Sequence, residues 1–161
     1  MTQRKIRVPA LNMAAVRGLT EWVSLYQAYN AIFKINELAL LPQKITIPQL
    51  HLLAVLVSLG GTLPSTRIAH HMVKEAQTIT GLVDRMEAAG WVMRQNDPND
   101  RRKTLVSLTN AGIKKFKGAF PLANQVGVEL FSVLTDEELA GLRVAADKLR
   151  ETALSRLGIR L

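Results

Sequence analysis

A mainly α-helical protein with one small β-hairpin is the fold class that this sequence predicts. Apolar residues recur at spacings of three and four along most of the 161 residues, which is the pattern of amphipathic helices. A concentrated turn sequence at 96–100, Asn-Asp-Pro-Asn-Asp, lies between two short strand-like segments, which is the pattern of a hairpin. Apolar residues make up 48% and charged residues 21% of the chain, so we expect one globular domain, alone or with a dimerisation extension.

The composition excludes several classes of protein. The chain has no cysteine, which rules out a disulfide scaffold, a cysteine zinc site, a thiol nucleophile and a cysteine redox sensor. Its longest apolar run, 52–57, is far shorter than the ~20 residues that span a bilayer. The basic residues Arg4, Lys5 and Arg7 precede no apolar stretch of the kind that a signal peptide needs. We therefore expect a cytoplasmic protein with no membrane partner.

The first third of the chain predicts a basic arm and two helices. We expect a loose arm over 1–7, which is polar and basic, and an amphipathic helix over 10–40. The sequence Leu-Pro-Gln-Lys at 41–44 breaks that helix. Thr46 is a suitable N-cap for a second helix that ends near Leu59, before two glycines. Because the second helix is apolar on nearly every side, we expect it at the centre of the core.

Two shorter helices and the hairpin follow. After a short extended piece at 62–63, we predict a third helix over 64–72 and a fourth over 76–89. The apolar side of the fourth helix consists of Ile79, Leu82, Val83 and Met86. The hairpin strands are predicted over 91–95 and 104–108.

The last third predicts two long helices. Thr109 caps the first of them, and Pro121 removes a backbone donor inside it, so we expect a kink or break at 119–121. Thr135 and Glu138 have the spacing of a capping box for the last helix. The sequence thus predicts an N-terminal arm with a dimerisation helix at 1–45, a winged helix-turn-helix at 46–109 and C-terminal dimerisation helices at 110–161.

The segment 46–109 carries the functional prediction. Two short helices followed by a hairpin are the elements of a winged helix-turn-helix, whose second helix fits the major groove of DNA. The 21 lysines and arginines exceed the 13 aspartates and glutamates, and the net charge of +8 favours an anionic partner. The exposed side of the fourth helix carries polar and small residues suited to bases and phosphates, namely Gln77, Thr78, Thr80, Gly81 and Arg85.

Three consecutive cations follow the turn of the hairpin. Arg101, Arg102 and Lys103 are suited to a narrow minor groove, where the negative potential is enhanced. Asp100 is placed to pair with Arg102 across the turn and so to direct it. The alternative is a charged hairpin that only contacts solvent.

The chain resembles the MarR family of bacterial transcriptional regulators. The residues that carry the resemblance are 46–50 at the start of the second helix, 79–92 along the fourth helix, 97–102 in the wing, and Val106-Ser107-Leu108-Thr109-Asn110-Ala111-Gly112 after it. The resemblance implies a homodimer that binds a pseudopalindromic DNA site, usually as a repressor. It places Glu75, Ala76, Gln77, Thr78 and Thr80 at the start of the recognition helix, Arg102 in the minor groove, and Asp100 as its partner.

The resemblance also implies a small-molecule effector, often an aromatic acid, between the dimerisation helices and the winged domain. By position, Trp22, Tyr26, Tyr29, Asn30 and His51 are candidates to line its pocket. The alternative is that these aromatic residues and the histidine only pack in the core. We predict no cofactor and no metal site, because the adjacent His70 and His71 point about 100° apart on a helix.

Two other classes of function compete with a DNA-binding regulator. A winged-helix module that binds proteins instead of DNA needs an uncharged or acidic recognition face, and Arg85, Arg94 and the wing cations argue against one. An enzyme needs a nucleophile or a paired acid and base at workable spacing, and the sequence offers neither.

Overall fold

The computed structural model describes residues 18–98, 100 and 103–159. The elements, in chain order, are α1 (Leu19–Leu40), α2 (Ile47–Ser58), β1 (Thr62–Pro64), α3 (Ser65–Met72), α4 (Ala76–Ala88), β2 (Val92–Asn96), β3 (Thr104–Leu108), α5 (Asn110–Phe131) and α6 (Asp136–Arg156). The predicted fold class, mainly helical with a small hairpin, is confirmed. The chain divides into two units, one ending at Lys34 and the other beginning at Ile35. The predicted domain boundaries at 45/46 and 109/110 stay a prediction.

Helix α2 lies at the centre of the core of the second unit, as its composition predicts. A capping box begins it: the Thr46 backbone N–H donates to Gln49 Oε1 at 2.9 Å, and the Gln49 N–H donates to Thr46 Oγ1 at 3.4 Å. The side chains of Leu52, Leu53 and Leu56 are fully buried. This burial fixes the platform on which the two shorter helices pack.

Helices α3 and α4 are joined by a tight turn with strained backbone. Val73 ends α3 in the left-handed region with φ of 50°, and its N–H donates to His70 O at 3.1 Å. The next N–H, of Lys74, donates to Ala69 O at 3.0 Å. Glycine is the usual residue at such a helix end, and a β-branched side chain there is strained.

Replacing Val73 with glycine is expected to stabilise the fold. The left-handed conformation costs a residue with a Cβ roughly 1–2 kcal/mol, and glycine avoids this cost. Glycine also has more conformational entropy in the unfolded state, which cancels part of the gain in stability. We expect Val73→Gly to raise the free energy of unfolding by ~1 kcal/mol in urea titrations. The control Ala140→Gly, at an exposed right-handed position of α6, should lower it by about the same amount. A loss for both variants would contradict the strain at Val73.

The three strands form one antiparallel sheet in the order β1-β3-β2. In the hairpin, Val92 pairs with Leu108 and Asn96 with Thr104. The piece predicted only as extended, Thr62-Leu63, is the edge strand β1, and Thr62 Oγ1 donates to Ser107 Oγ at 2.8 Å. The sheet thereby anchors the hairpin to the start of α3.

The break predicted at 119–121 is wrong, because α5 continues through Pro121 from Asn110 to Phe131, whereas the alternative, a kink, stays a prediction. An internal proline costs a helix ~3 kcal/mol. Packing on both sides of the proline offsets this cost, since Ala119 and Val126 are both buried. Helix α5 therefore continues past Pro121 without the hydrogen bond that the proline cannot donate.

Helix α6 begins at the capping box that the sequence predicts. The Thr135 N–H donates to Glu138 Oε2 at 2.8 Å, and the Glu138 N–H donates to Thr135 Oγ1 at 3.2 Å. Only Leu154 of this helix is buried, although its sequence is rich in leucine. Between α5 and α6, Val133 is 81% exposed.

Among the described helices, none is by itself both long enough and apolar enough to cross a membrane. Leu19–Gln43 and Ile47–Ser58 satisfy the length and composition requirement only as a pair, and that pair is bent by 80°.

Candidate nucleic-acid interface

Helix α4 has one buried and one exposed side, and the predicted contact residues lie on the exposed one. Its four buried residues are the predicted stripe Ile79, Leu82, Val83 and Met86. The exposed residues include Glu75, Ala76, Gln77, Thr78, Thr80 and Arg85, whereas Gly81 is half-buried. The Thr80 hydroxyl donates to Ala76 O at 3.0 Å, which leaves its lone pairs available to an incoming donor.

Gly81 is not required by the fold itself. A Cβ built there meets only Arg85 Nη1 within the described residues, at an ordinary contact distance of 3.7 Å. Its backbone is in the right-handed region, where alanine is the better helix former by about 1 kcal/mol. A glycine that the protein does not need for itself favours the interpretation that another surface approaches α4 here.

Arg94 on β2 ties the hairpin to α4. Its guanidinium donates to Asp84 Oδ1 at 2.5 Å and Glu87 Oε2 at 3.0 Å, and to Thr80 O at 3.0 Å. Its backbone N–H donates to Glu87 Oε1 at 2.8 Å. The Arg94 side chain is only 27% exposed. Its charge is therefore paired within the protein, and counting it among the cations that face a partner was wrong.

The wing is described as far as Pro98, at Asp100, and again from Lys103. Across the turn, the Asp97 N–H donates to Lys103 O at 3.0 Å and the Lys103 N–H donates to Asp100 O at 2.8 Å. Lys103 Nζ lies 3.6 Å from Asp100 Oδ2. Arg101 and Arg102 fall outside the described residues, so the pairing of Asp100 with Arg102 stays a prediction.

The base of the wing is fastened to the start of α5 by Thr109 and Gly112. Thr109 Oγ1 donates to Gly90 O at 2.6 Å and accepts from the Gly112 N–H at 3.0 Å. The Thr109 N–H donates to Trp91 O at 3.2 Å. A Cβ at position 112 would stand 2.0 Å from the Trp91 carbonyl oxygen, so only glycine fits.

The candidate effector residues fall in different units. Trp22, Tyr26, Tyr29 and Asn30 are exposed on α1, and the Trp22 and Tyr26 rings stack with centroids 6.3 Å apart. His51 lies on α2 in the second unit and keeps contact with solvent. Partial desolvation lowers the pKa of His51, and the positive charge of Lys74 acts in the same direction. That these residues share one pocket stays a prediction.

No group of three or more histidine, cysteine, aspartate or glutamate side chains that could hold a metal ion occurs in the described part of the chain.

Comparison with known proteins identifies the family. The model of the MarR family matches residues 45–104, which run from just before α2 to the first residue of β3. The HTH-type transcriptional repressor MdtR of Bacillus subtilis is 31% identical over 111 residues, which cover 69% of this chain and 71% of MdtR. The chain belongs to the MarR family. The uncharacterised HTH-type transcriptional regulator YcgE of the same organism is 40% identical over 62 residues, which cover 38% of this chain and 40% of YcgE.

Solved structures show the same fold for this MarR-family chain. The organohalide-sensing regulator RdhR-CbdbA1625, in its 2,4-dichlorophenol-bound form, matches with a TM-score of 0.81 at 22% identity over 95% of this chain and 90% of that one. AbsC of Streptomyces coelicolor, a MarR family regulator, matches with a TM-score of 0.80 at 22% identity over 84% and 93% of the two chains.

Two groups of functional residues in this MarR-family chain were missed by the sequence reasoning. Arg94 was counted only as a cation that faces a partner, Asp84 was given no role, and Thr109 was predicted only as a helix cap. Their partners become visible only when β2 lies against α4 and when Gly90, before β2, lies against the start of α5. The spacing of Asp84, Glu87 and Arg94 was the available signal, since complementary charges flank the turn that ends α4.

Proposed function

We propose that this chain is a transcriptional regulator that binds double-stranded DNA as a homodimer. The observation that carries the proposal is the exposed side of α4, where Gln77, Thr78 and Arg85 are open to a partner, next to a hairpin that Arg94 holds against the same helix. A duplex major groove admits one helix of this kind. In this proposal α4 enters the major groove and the wing enters the adjacent minor groove.

Charge supports a nucleic acid as the partner. The chain carries a net charge of +8, and three consecutive cations, Arg101, Arg102 and Lys103, follow the turn of the hairpin in the sequence. Cations that neutralise phosphates release counterions, so binding of this kind weakens steeply as salt rises. The protein-interaction module is the second candidate, and a flat salt dependence would favour it.

Exposed apolar surface supports the dimer. The large apolar side chains exposed on or beside α5 and α6 are Phe120, Val128, Phe131, Val133, Leu142, Val144 and Leu149. This number of large exposed apolar side chains on two consecutive helices favours burial of these helices against a partner. Two copies also place two recognition helices on one duplex, which gives a useful specificity that a single helix does not.

Release by a small aromatic effector is the remaining part of the proposal. Trp22, Tyr26 and Tyr29 expose aromatic rings on α1 that suit stacking with such a molecule. The structural neighbour RdhR-CbdbA1625 has a crystal structure with 2,4-dichlorophenol bound. A repressor that dissociates from DNA when the effector binds fits both observations.

Selection from random-sequence DNA tests the proposal. Duplexes that the protein retains would be sequenced, and the enriched sequence titrated by fluorescence anisotropy against a scrambled one at two salt concentrations. We expect an inverted repeat and a preference of at least ~10³-fold over the scrambled duplex. Equal affinity for both duplexes would leave no sequence-specific regulator.

Gln77 is expected to read a base rather than a phosphate. An amide that bonds a base edge discriminates against the wrong base by ~1–3 kcal/mol, so Gln77→Ala should reduce the preference between the operator and a single-base variant. Gln125→Ala, on α5, is the matched control and should leave the preference unchanged. A uniform loss of affinity for every sequence would reassign Gln77 to the DNA backbone.

A further inference from the structure

Lys115, near the start of α5, contacts two segments that are far apart in the sequence. Its ammonium donates to the Gln43 carbonyl oxygen at 3.0 Å. The same ammonium lies over the ring of Trp91, 5.1 Å from its centroid. Gln43 lies just before the elements α2 to β3, which we call the winged segment, and Trp91 lies within them, directly before β2. One side chain of α5 therefore joins the entry of the winged segment to the base of the hairpin.

Both partners of Lys115 suit a cation. Gln43 is the last residue of a single 3-10 turn, Leu41–Gln43, and the last carbonyls of a helical turn have no partner within it. The face of an indole ring is negative and attracts an ammonium placed over it. None of the ion pairs among the described residues includes Lys115, whose side chain is half-buried. The carbonyl and the ring are therefore the contacts that hold its charge in place.

Two glycines on the same side of α5 bring the helix close to both partners. Gly112, Lys115 and Gly118 are three residues apart, so they lie along one side of the helix. A Cβ at position 112 would clash with the Trp91 carbonyl oxygen, and one at position 118 would stand 3.1 Å from Gln43 Oε1. Lys115 thus lies between two close approaches, one to each of its partners.

The winged segment has two covalent connections to the rest of the chain, one at each end. The first is at Lys44, which has φ of 48° in the left-handed region, and the second is at Thr109, the N-cap of α5. Hinges are commonly found at such ends of elements. Phe116 and Ala119 of α5 pack in the core, but apolar contacts are not directional and permit small shifts. The hydrogen bond of Lys115 is directional and opposes a rotation about the two connections.

We propose that Lys115 is a positioning residue that fixes the orientation of the winged segment relative to α5. It holds the first connection through the Gln43 carbonyl and the segment itself through the Trp91 ring. Loss of its charge would let the segment rotate over a wider range. A consequence for DNA rests on the proposed function: two copies on one duplex must present their α4 helices at one separation, so a looser segment accepts more than one spacing of half-sites.

Distances between spin labels, measured on the full chain without DNA, test the positioning. Because the sequence has no cysteine, Thr78→Cys on α4 and Lys148→Cys on α6 supply the only two labelled sites. Labelled chains are refolded with an excess of unlabelled chains, so that only the distance within one chain is measured. We expect a broader distance distribution after Lys115→Met, which keeps an unbranched stem and removes the charge. Equal widths with lysine and methionine at position 115 would overturn the proposal.

Three further variants separate the role of the cation from a general loss of order. Lys115→Arg keeps a cation that donates hydrogen bonds and stacks on an indole, so it should give a narrow distribution. Lys115→Gln removes the charge in a second way and should give a broad one. Lys114→Met removes the same charge from the preceding, exposed residue and should leave the width unchanged. A broad distribution for Lys115→Arg or for Lys114→Met would overturn the proposal, and urea titrations establish first that every variant is folded.

Titrations with DNA test the consequence for half-site spacing separately. The selected operator is compared with operators that have one base pair added or removed between the half-sites. We expect Lys115→Met to reduce the preference for the selected spacing roughly fivefold. The salt dependence should stay the same, because Lys115 is bound to the protein and neutralises no phosphate. An unchanged spacing preference would overturn this consequence.

The label distances contain no information about DNA, so the two failures are distinguishable. A broader distribution for Lys115→Met supports the positioning role even where the selection finds no operator. An operator that is bound equally well by chains with equal label widths would support the proposed function and overturn the role of Lys115.

Discussion

Gly112→Ala is expected to destabilise the protein severely. A Cβ at this position would stand 2.0 Å from the Trp91 carbonyl oxygen, 3.0 Å from its carbonyl carbon and 3.3 Å from Leu108 Cδ2. Two of these atoms are backbone and the oxygen also accepts the Thr109 N–H, so the junction of the wing and α5 has to move. We expect a loss of ~3 kcal/mol in the free energy of unfolding, measured by urea titration.

Gly141→Ala is the matched control for that substitution. It lies inside α6, and a Cβ there meets nothing within 4 Å. Alanine should therefore stabilise the helix by up to ~1 kcal/mol. Equal responses at positions 112 and 141 would show that the close approach of α5 to Trp91 does not hold the wing.

Arg94→Ala is expected to weaken DNA binding at least ~10-fold while leaving its salt dependence unchanged. Arg94 joins β2 to α4 through Asp84, Glu87 and the Thr80 carbonyl, so its loss frees the wing from the helix. Because its charge is paired within the protein, Arg94 neutralises no phosphate. Its loss therefore leaves unchanged the number of counterions that are released when the protein binds DNA. Arg94→Lys should not restore affinity, because an ammonium does not reproduce the fork of hydrogen bonds.

Lys103→Ala is the comparison that separates a residue that positions the wing from a residue that contacts a phosphate. Lys103 is 58% exposed and its ion pair with Asp100, at 3.6 Å, is open to solvent, so Lys103 remains accessible to a phosphate. Loss of one phosphate contact should reduce the slope of log K against log salt by about 0.9. Anisotropy titrations over a series of salt concentrations measure both variants. A reduced slope for Arg94→Ala as well would mean that Arg94 contacts DNA directly, and would contradict the account in which its bonds to Asp84, Glu87 and the Thr80 carbonyl only position the wing.

Structural features that depend on residues close together in the sequence were predicted, whereas contacts between distant residues were not. The N-cap at Thr46 and the capping box at Thr135 depend on residues within one helical turn, so residue type and spacing suffice to find them, although the reciprocal bond from Gln49 at Thr46 was not predicted. The bond from Thr62 to Ser107 spans 45 residues and depends on strand register. A local pattern cannot specify that register, and β1 was therefore predicted only as an extended piece.

The predicted break at Pro121 and the counting of Arg94 among the cations that face a partner were wrong for the same physical reason. The helix-breaking tendency of Pro121 is local, and packing around Ala119 and Val126 overrides it. Arg94 has a local sequence typical of a charged strand, and only the position of α4 pairs its charge. In the candidate site, the exposed side of α4 was predictable because it is the complement of a clear apolar stripe.

Affinity cleavage tests most directly that α4 and the wing occupy neighbouring grooves. The sequence has no cysteine, so a single introduced cysteine carries one iron–EDTA group at a known place. Lys74→Cys places the group at the start of α4, and Pro98→Cys places it at the turn of the wing. Retained operator binding is checked first by anisotropy.

On the selected operator, we expect cuts from position 74 inside each half-site. The cuts on the two strands should be displaced from each other in the direction that cleavage from the major groove produces. Cuts from position 98 should fall on the flank of each half-site, with the opposite offset of the minor groove. Diffuse cutting from both positions, or the same offset from both, would contradict the account.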